Sequence, residues 1–380
     1  MAASMRTGRG RRVRLAIAGA AVLTALITAT AGAAVPPRQI PTAPATQPDH
    51  RAASTAAWSA AGRKATAGPR SRFPVFVLEK GRYTGFDSPG EVTNDSLVRI
   101  NNRGQIAGAY IQDYSEDSSG APQGRSRGFL RDQRGRTITI SVPGAAGTAP
   151  YDFNDAGTVV GIYSDESLNR TDDLRSFLRD ARGRYTRIVV PGATQVQARG
   201  INNRGLVVGE YRDASGAFHG FRWQRGRVTS FDDAPAGAVM VCSPLDVNDR
   251  GQMVGVYLDA GGALHGCLLD RDRAVTIDAP GVPLTLPIAI NNRGRIVGAT
   301  STGPGQPAHG FLLRDGAGGP FTPIDVPGAP GTGATGINDA GTIVGSYENP
   351  AAPSRQLARR RQAPAPTPTM DPRGLPTATG

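Results

Sequence analysis

The stretch Ile201–Tyr211, INNRGLVVGEY, decides the fold. It places Asn202–Gly205 between two apolar segments, a combination that is typical of a tight turn. Asparagine tolerates turn conformations, and glycine adopts the left-handed conformation that a three-residue hairpin loop needs. The β-branched and aromatic residues that follow favour a pleated strand. The stretch therefore predicts a β-hairpin.

Six versions of this hairpin occur along the chain, with 43 to 53 residues between their leading asparagines. They are Ile100–Tyr110, Phe153–Tyr163, Ile201–Tyr211, Val247–Tyr257, Ile290–Thr300 and Ile337–Tyr347. Repetition on that scale is typical of solenoids and propellers. A glycine recurs inside the second strand of every version, where it weakens a strand unless a neighbouring backbone comes close. Its recurrence indicates crowding common to all repeats, as near the axis of a closed ring.

Two further strands follow in each repeat. In the third repeat, Phe218–Trp223 is expected to pair with Arg227–Phe231 across a glycine-containing turn. The last strand usually ends in Pro-Gly, and proline lacks the amide that a central strand donates, so this strand suits an outer edge. Each repeat is therefore predicted to contain four antiparallel strands, which we name a to d in chain order.

The two ends of the repeat region are incomplete. Phe73–Pro89 matches strands c and d only, and Ile337–Tyr347 matches strands a and b only. Joined, they make one complete sheet, and a closed ring needs such a junction because an open sheet leaves unpaired edges. The sequence therefore predicts an all-β fold, a six-bladed β-propeller of four-stranded antiparallel blades. Its sixth blade is closed by the N-terminal c–d and C-terminal a–b strands. A linear stack, the alternative, would need capping repeats.

The segments outside the repeats have different compositions. Residues 1–33 combine a basic start, an apolar segment and small residues suited to cleavage, which is typical of a secretory signal; a membrane anchor is the alternative. Residues 34–72 and 348–380 lack the large apolar residues that would offset chain entropy, and we expect them to be disordered. These features predict a secreted protein with no stable membrane span after cleavage, whose propeller spans residues 73–347.

The formal net charge of +12 would suggest a nucleic-acid or polyanion binder if it were evenly spread. The positive surplus lies in the signal, the linker and the tail, and residues 73–347 have a net charge of −1. A domain near neutrality is not a general phosphate binder, so we expect no nucleic-acid partner.

Arginine is nevertheless concentrated in the a–b and c–d turns, which must lie on one face of a propeller. Two interpretations remain open: a solvated surface with local partners such as Asp132 and Asp180, or a binding face for an anionic wall polymer or lipid surface. The candidate binding residues are Arg134, Arg136, Arg182, Arg184, Arg225, Arg227, Arg271 and Arg273.

The two cysteines, Cys242 and Cys267, both belong to the fourth blade. Disulfides persist outside the cytoplasm, so a disulfide between them is one interpretation. Cys267 stands where other repeats have phenylalanine, so a small core filler is the other.

Histidine does not form a metal-binding pattern. His219, His265 and His309 occupy the same place in strand c of three successive blades and are expected to stay apart, as a structural polar position. No His/Cys cluster has the spacing of a metal site, and no nucleotide or cofactor motif occurs in the sequence. We therefore expect neither a metal nor a cofactor.

Three motifs recur in a fixed order and resemble the HAF-repeat family of extracellular proteins. In the last repeats they are His309–Leu312 (HGFL), Ile324–Gly328 (IDVPG) and Gly336–Tyr347. The chain departs from the family pattern at four positions: Arg127 and Arg175 replace histidine, Cys267 replaces phenylalanine, and Thr300 replaces the closing tyrosine. The resemblance implies export and a repeat fold, and it supplies no activity and no site residues.

These observations favour a secreted β-propeller that acts as a binding scaffold for cell-wall or extracellular polysaccharide, another anionic polymer or a protein. The b–c loops and d–a crossovers are its expected contact face, since loops on a rigid ring usually carry function. The alternative is a secreted polysaccharide hydrolase or lyase acting at the mouth of the central channel. Carboxylates converging at one mouth would favour the enzyme, and a mouth lined by small residues or arginine would favour binding. The sequence predicts no oligomeric state.

Overall fold

The computed structural model describes residues 71, 73–92, 97–116, 122–165, 174–271, 273–303 and 306–350. The predicted signal 1–33, the predicted linker 34–72 except residue 71, and the predicted tail beyond residue 350 lie outside the described residues. Among those described, no helix is long and apolar enough to span a bilayer.

Antiparallel strands make up almost all of the regular structure in the described chain. They are β1 (Val75–Glu79), β2 (Arg82–Phe86), β3 (Val98–Ile100), β4 (Ile106–Glu116), β5 (Pro122–Arg131), β6 (Thr137–Ile140), β7 (Gly147–Phe153), β8 (Val159–Ser164), β9 (Arg175–Arg179), β10 (Tyr185–Ile188), β11 (Gln195–Ile201), β12 (Val207–Arg212), β13 (Phe218–Gln224), β14 (Arg227–Phe231), β15 (Ser243–Val247), β16 (Met253–Leu258), β17 (Leu264–Asp270), β18 (Arg273–Ile277), β19 (Leu284–Ile290), β20 (Ile296–Ser301), β21 (Ala308–Leu313), β22 (Phe321–Ile324), β23 (Thr332–Ile337) and β24 (Ile343–Tyr347). A short 3-10 turn, Gly316–Gly318, precedes β22.

These strands form six four-stranded sheets arranged in a ring, a six-bladed β-propeller. Blades 1 to 5 are β3–β6, β7–β10, β11–β14, β15–β18 and β19–β22, and blade 6 is β23, β24, β1 and β2. The first strand of each blade contacts the first strands of its neighbours, so strand a lies nearest the axis. The prediction of the fold class from the six repeats is confirmed.

Blade 6 is built from both ends of the propeller. Strand β1 pairs antiparallel with β24, with Val75 opposite Ser346 and Leu78 opposite Ile343. The amide of Tyr347 also donates to the carbonyl of Pro74 (3.2 Å). The N-terminal c–d strands therefore complete the C-terminal a–b strands, as the sequence predicts.

The recurrent glycine of strand b makes room for two groups of its own blade. A Cβ on Gly209 would collide with the carbonyl of Gln197 on strand a and would lie 2.9 Å from the ring of Phe221 on strand c. Other blades repeat this contact, for example Gly345 against Phe76. The crowding expected from the sequence is present in every such blade, but it arises inside the blade rather than at the propeller axis.

The leading asparagine of each hairpin serves its own turn and the neighbouring blade at once. In blade 3, Oδ1 of Asn202 accepts the amides of Arg204 and Leu206 (both 3.0 Å). In every blade, the asparagine Nδ2 donates to the backbone carbonyl of the next leading asparagine: Asn101 to Asn154 (3.3 Å), Asn154 to Asn202 (3.1 Å), Asn202 to Asn248 (3.0 Å), Asn248 to Asn291 (3.1 Å), Asn291 to Asn338 (2.9 Å) and Asn338 to Asn101 (3.3 Å). These six bonds close a complete ring around the axis.

Cys242 and Cys267 are joined by a disulfide in the structure, with Cα atoms 6.2 Å apart. Cys267 lies on β17 in the place that phenylalanine occupies in other blades, and Cys242 lies at the end of the crossover from β14 to β15. The bond therefore attaches this crossover, the longest of the described ones, to the core of blade 4.

We expect the unreduced, denatured protein to carry no thiol that reacts with iodoacetamide, because both cysteines are held in this bond. After reduction it should take up two labels, measured by intact mass. Two labels without reduction would contradict the disulfide and leave the small-core-filler interpretation.

Candidate functional site

The two ends of the blades form two distinct faces. We call the surface formed by the a–b and c–d turns the turn face, and the surface formed by the b–c loops and d–a crossovers the loop face. Direct bonds join neighbouring turns of the turn face: Gln224 Nε2 donates to the carbonyl of Arg204 (3.0 Å), and Gln252 Nε2 donates to Asp270 Oδ2 (2.9 Å).

All eight candidate arginines are exposed and lie in or beside the c–d turns of blades 1 to 4. They are Arg134, Arg136, Arg182, Arg184, Arg225, Arg227, Arg271 and Arg273. Arg136 and Arg184 each bond to an aspartate of their own turn, Asp132 (2.7 Å) and Asp180 (2.8 Å). Within the described part of the chain, the side chains of the other six make no hydrogen bond or ion pair. The interpretation that local aspartates pair with these arginines therefore holds for two of the eight, Arg136 and Arg184.

The same contacts affect the two aspartates. The hydrogen bond from the Arg136 side chain lowers the pKa of Asp132, and the backbone amide and side chain of Arg184 lower the pKa of Asp180. Both carboxylates also accept turn amides, so they shape the turns as well as neutralise one arginine each.

Charge is divided between the two faces. On the turn face, basic side chains outnumber acidic ones by about two to one among the described residues. The basic ones are Lys80, Arg82, Arg103, Arg131, Arg134, Arg136, Arg179, Arg182, Arg184, Arg204, Arg225, Arg227, Arg250, Arg271, Arg273, Arg293, Arg295 and Arg314; the acidic ones are Glu79, Asp132, Asp155, Asp180, Asp249, Asp270, Asp315 and Asp339. The described loop face has the reverse balance: its acidic residues are Asp87, Glu91, Asp113, Asp165, Asp213, Asp232, Asp233, Asp259, Asp278, Asp325 and Glu348, and its arginines are Arg125, Arg127, Arg175 and Arg212. The net charge of the propeller is therefore near zero only because a basic turn face and an acidic loop face offset each other.

The axial opening on the turn face is closed by a second ring of side chains. The residue after each leading asparagine alternates strictly between asparagine and aspartate, in the order Asn102, Asp155, Asn203, Asp249, Asn292 and Asp339. Asn292 Nδ2 donates to Asp249 and Asp339 on either side (both 2.9 Å), and Asn102 Nδ2 donates to Asp155 (3.0 Å) and Asp339 (2.9 Å). Such an alternation closes without a mismatch only when the number of blades is even. Sequence reasoning missed this ring, although the alternation can be read directly from the repeats.

Deeper in the channel, one arginine binds four blades. A β-bulge at the middle of strand a leaves the bulged residue out of the ladder. The Arg99 guanidinium of blade 1, 3% exposed, donates to the bulged carbonyls of Tyr151 (3.1 Å), Leu245 (3.3 Å), Ile288 (3.0 Å) and Thr335 (2.6 Å). This role could not be predicted from the repeats, because no other repeat has an arginine at the position of Arg99.

Two carboxyl groups lie beside this arginine. Asp152 accepts the amide of Ile201 (2.7 Å), and Asp246 accepts the amide of Ile290 (2.8 Å) and lies 3.9 Å from Arg99. Burial and the neighbouring Asp246 carboxylate raise the pKa of Asp152 to about 8, and burial raises the pKa of Asp246 as well. The two carboxyl groups influence each other's ionisation, so the retained proton belongs to the pair and not to either residue alone. Both are 8% exposed, which places them inside the packed axis and not at an open mouth, so they do not support the enzyme alternative.

The three histidines of the propeller lie on the loop face. His219 and His265 each contact two aspartates of their own blade, and His309 contacts one, Asp325 (3.2 Å). His219 contacts Asp232 (2.7 Å) and Asp213 (3.3 Å), and His265 repeats this arrangement with Asp278 and Asp259. The bond to Asp232 is the main reason that the pKa of His219 is raised. These contacts link b–c turns to d–a crossovers, which is the structural polar role that the sequence suggests.

No family model matches the chain, and no curated protein matches it either. Among solved structures, a TolB-like protein of Agrobacterium tumefaciens is similar at a TM-score of 0.51 and 11% identity, covering 74% of this chain and 99% of that one. A lectin of Aleuria aurantia (TM-score 0.40, 13% identity, 65% and 86% covered) and a sialidase of Trypanosoma rangeli (0.39, 8%, 66% and 54%) are more distant. At these identities the likeness extends to the fold alone.

The buried pair Asp152 and Asp246 makes the free energy of unfolding depend on pH, and a variant can separate this contribution from those of other groups. Native Asp152 keeps its proton up to about pH 8, whereas the ordinary pKa is 3.8. The native state therefore binds more protons between about pH 4 and 8, and the free energy of unfolding falls as pH rises through that window. The variant D152N cannot ionise and should lack this part of the decline.

Urea unfolding of both proteins at pH 5.5 and 8.5 measures the difference. We expect the wild type to lose more stability between the two pH values than D152N does. The raised histidine pKa values also lower stability at high pH, but they are common to both proteins and cancel in the comparison. Equal losses would contradict the shared proton.

Proposed function

We propose that the protein is a secreted binding scaffold whose turn face binds an anionic polymer, an acidic polysaccharide of a cell wall or extracellular matrix. The observation that carries this proposal is the surplus of exposed arginine on one face of a domain whose overall charge is close to zero. Export rests on the composition of residues 1–33 and on the resemblance to HAF-repeat proteins.

The form of the arginine clusters favours a polymer over a small anion. Basic residues flank the tip of the c–d turn in blades 1, 2, 3, 4 and 6, for example Arg182 with Arg184 and Lys80 with Arg82. Each cluster is small and exposed, so a single contact is screened by salt and contributes little. A chain that reaches several blades makes its later contacts within one complex, and its affinity rises by avidity.

The acidic loop face argues against an anionic partner there. The side chains around His219 and His265 are aspartates, and the described crossovers contain few cations. The b–c loops and d–a crossovers remain a predicted contact surface for other ligands, including proteins. Two long b–c loops connect β4 to β5 and β8 to β9, and their middle parts, 117–121 and 166–173, lie outside the described residues.

The proposal is tested by retention on immobilised polygalacturonate, with neutral dextran as the matched matrix. The variant R134Q/R182Q/R225Q/R271Q removes one unpaired cation from each of four blades. We expect at least a tenfold loss of affinity at low salt. The dependence of log affinity on log salt should also become shallower, because fewer counterions are released when fewer cations contact the polymer.

The control variant changes the net charge by the same amount on the other face. Gln112, Ala214, Ala236 and Ala260 are exposed loop-face positions, and Q112E/A214E/A236E/A260E also lowers the charge by four. It should bind nearly as well as the wild type. Equal losses of affinity in the two variants would show that only the net charge matters. Unchanged affinity of the arginine variant would show that the turn face is not the binding surface.

A further inference from the structure

Blade 3 differs from the other blades because neither of its two turns on the turn face contains an acidic residue. Its a–b turn is Asn202–Gly205 and its c–d turn is Gln224–Arg227. Each of the other five blades has at least one acidic residue there: Glu79, Asp132, Asp155, Asp180, Asp249, Asp270, Asp315 and Asp339. Blade 3 presents three exposed arginines, Arg204, Arg225 and Arg227, which we call the blade 3 arginine cluster.

The other arginines of blade 3 already have partners. Arg199 is buried and pairs with Glu210 (3.4 Å). Arg212 and Arg222 lie over phenylalanine rings of their own blade, with Cζ 5.8 and 4.4 Å from the ring centres. By contrast, the side chains of the blade 3 arginine cluster make no hydrogen bond or ion pair within the described part of the chain. All three cations are therefore available to an external anion.

A carboxylate of blade 4 approaches the a–b turn of blade 3, but it is held by the Asn/Asp ring. Asp249 Oδ1 accepts the amide of Asn203 (2.7 Å). Its Oδ2 accepts Nδ2 of Asn203 (3.1 Å) and of Asn292 (2.9 Å). Both oxygens are thus used by asparagines, and the charge of the cluster is not offset by an ion pair.

The two turns of blade 3 are bonded to each other beside the cluster. Gln224, the residue before Arg225, donates from Nε2 to the carbonyl of Arg204 (3.0 Å). The amide of Arg204 donates to Oδ1 of Asn202 (3.0 Å). The backbone around the three arginines is therefore positioned before a ligand binds, which reduces the conformational entropy that binding would cost.

Arg225 has a backbone conformation that arginine rarely adopts. Because Gln224 pairs with Arg227, Arg225 and Gly226 form a two-residue hairpin turn, with φ angles of 51° and 84°. A turn of this kind favours asparagine, aspartate or glycine at its first position. A larger residue held there has a conformational cost, and residues held at such a cost cluster at functional sites. The position therefore indicates that the guanidinium itself is needed at this turn.

The left-handed arginine of blade 3 is distinct from those of the other blades. Lys80 and Arg271 have similar φ angles, 50° and 56°, at the tips of the c–d turns of blades 6 and 4. Each directly follows an acidic residue, Glu79 or Asp270. In blades 1 and 2 a glycine holds the left-handed position of the turn. Blade 3 alone combines a left-handed basic residue with turns that lack an acid.

We propose that the blade 3 arginine cluster is the primary docking point of the anionic polymer, where a carboxylate of an acidic sugar chain is bound most strongly. The inference rests on the proposed function and assigns its principal contact. Guanidinium groups match the geometry of a carboxylate and bind it through charge-assisted hydrogen bonds. Once one carboxylate is held at blade 3, the cations of the other blades bind further residues of the same chain.

Two triple variants with the same loss of charge test this assignment. R204Q/R225Q/R227Q removes the blade 3 arginine cluster, and R103Q/R134Q/R182Q removes three exposed arginines from the turns of blades 1 and 2. Retention on immobilised polygalacturonate at low salt gives their affinities. We expect about a tenfold loss of affinity for the blade 3 variant, because three modest contacts are removed together, and less than about a threefold loss for the other.

The variant R225N separates a binding role from a purely structural one. Asparagine suits the left-handed position, so the variant should unfold at a temperature about 1–2 °C higher than the wild type. It should also bind polygalacturonate about threefold more weakly, because it lacks one cation of the cluster. R134N is the control, because Gly135 (φ 83°) holds the left-handed position in that turn. R134N should leave both the unfolding temperature and the affinity nearly unchanged.

Equal losses of affinity in the two triple variants would overturn the assignment. An R225N protein that is more stable than the wild type but binds as tightly would also overturn it, and so would an R225N protein that is no more stable. The proposed function would still stand in these cases if R134Q/R182Q/R225Q/R271Q binds weakly. Unchanged affinity in all of these variants would overturn both proposals.

Discussion

The propeller depends on a single guanidinium that occupies its axis. The β-bulge of strand a removes a carbonyl from the ladder in blades 2, 4, 5 and 6, and each buried carbonyl without a donor would cost about 1–3 kcal/mol. Arg99 supplies donors to all four, which is possible because arginine alone has five N–H groups in a fixed planar fork. The contacts exist only when the blades surround one axis. Closure of the ring by β1 and β24 is therefore a condition for this network and not a separate feature.

Some contacts at the axis recur in every second blade and not in every blade. In blades 2, 4 and 6, a side chain of strand a accepts a backbone amide of the following inner strand. Asp152 and Asp246 do so for blades 3 and 5, and Thr335 Oγ1 accepts the amide of Val98 in blade 1 (3.3 Å). The Asn/Asp ring alternates with the same period of two blades. The repeat unit at the axis is thus a pair of blades, whereas the outer strands repeat blade by blade.

The sequence predicts what is repeated and misses what is unique. Asn202 and Gly209 recur in every unit, so local turn and strand rules were enough to predict the hairpins, their number and the split blade. Arg99 and Arg199 stand at repeat positions where no other unit has arginine, and the position of Asp152 is acidic again only at Asp246. Most of their partners come from strands about 40 residues or more away. Their roles follow from how six inner strands meet at one axis, which no single repeat contains. The eight arginines fall between these cases: their face could be predicted, but not which of them are paired.

The central claim is that the guanidinium of Arg99 holds the six inner strands together at the axis. Chemical unfolding of R99M measures that claim directly, with R134M as a control at an exposed position. Loss of the charge leaves four buried carbonyls and the neighbouring acid pair without their partner, so R99M should lose about 3–5 kcal/mol of stability. R134M should stay within about 0.5 kcal/mol of the wild type. A variant R99M as stable as R134M would contradict the view that one axial cation holds the ring together.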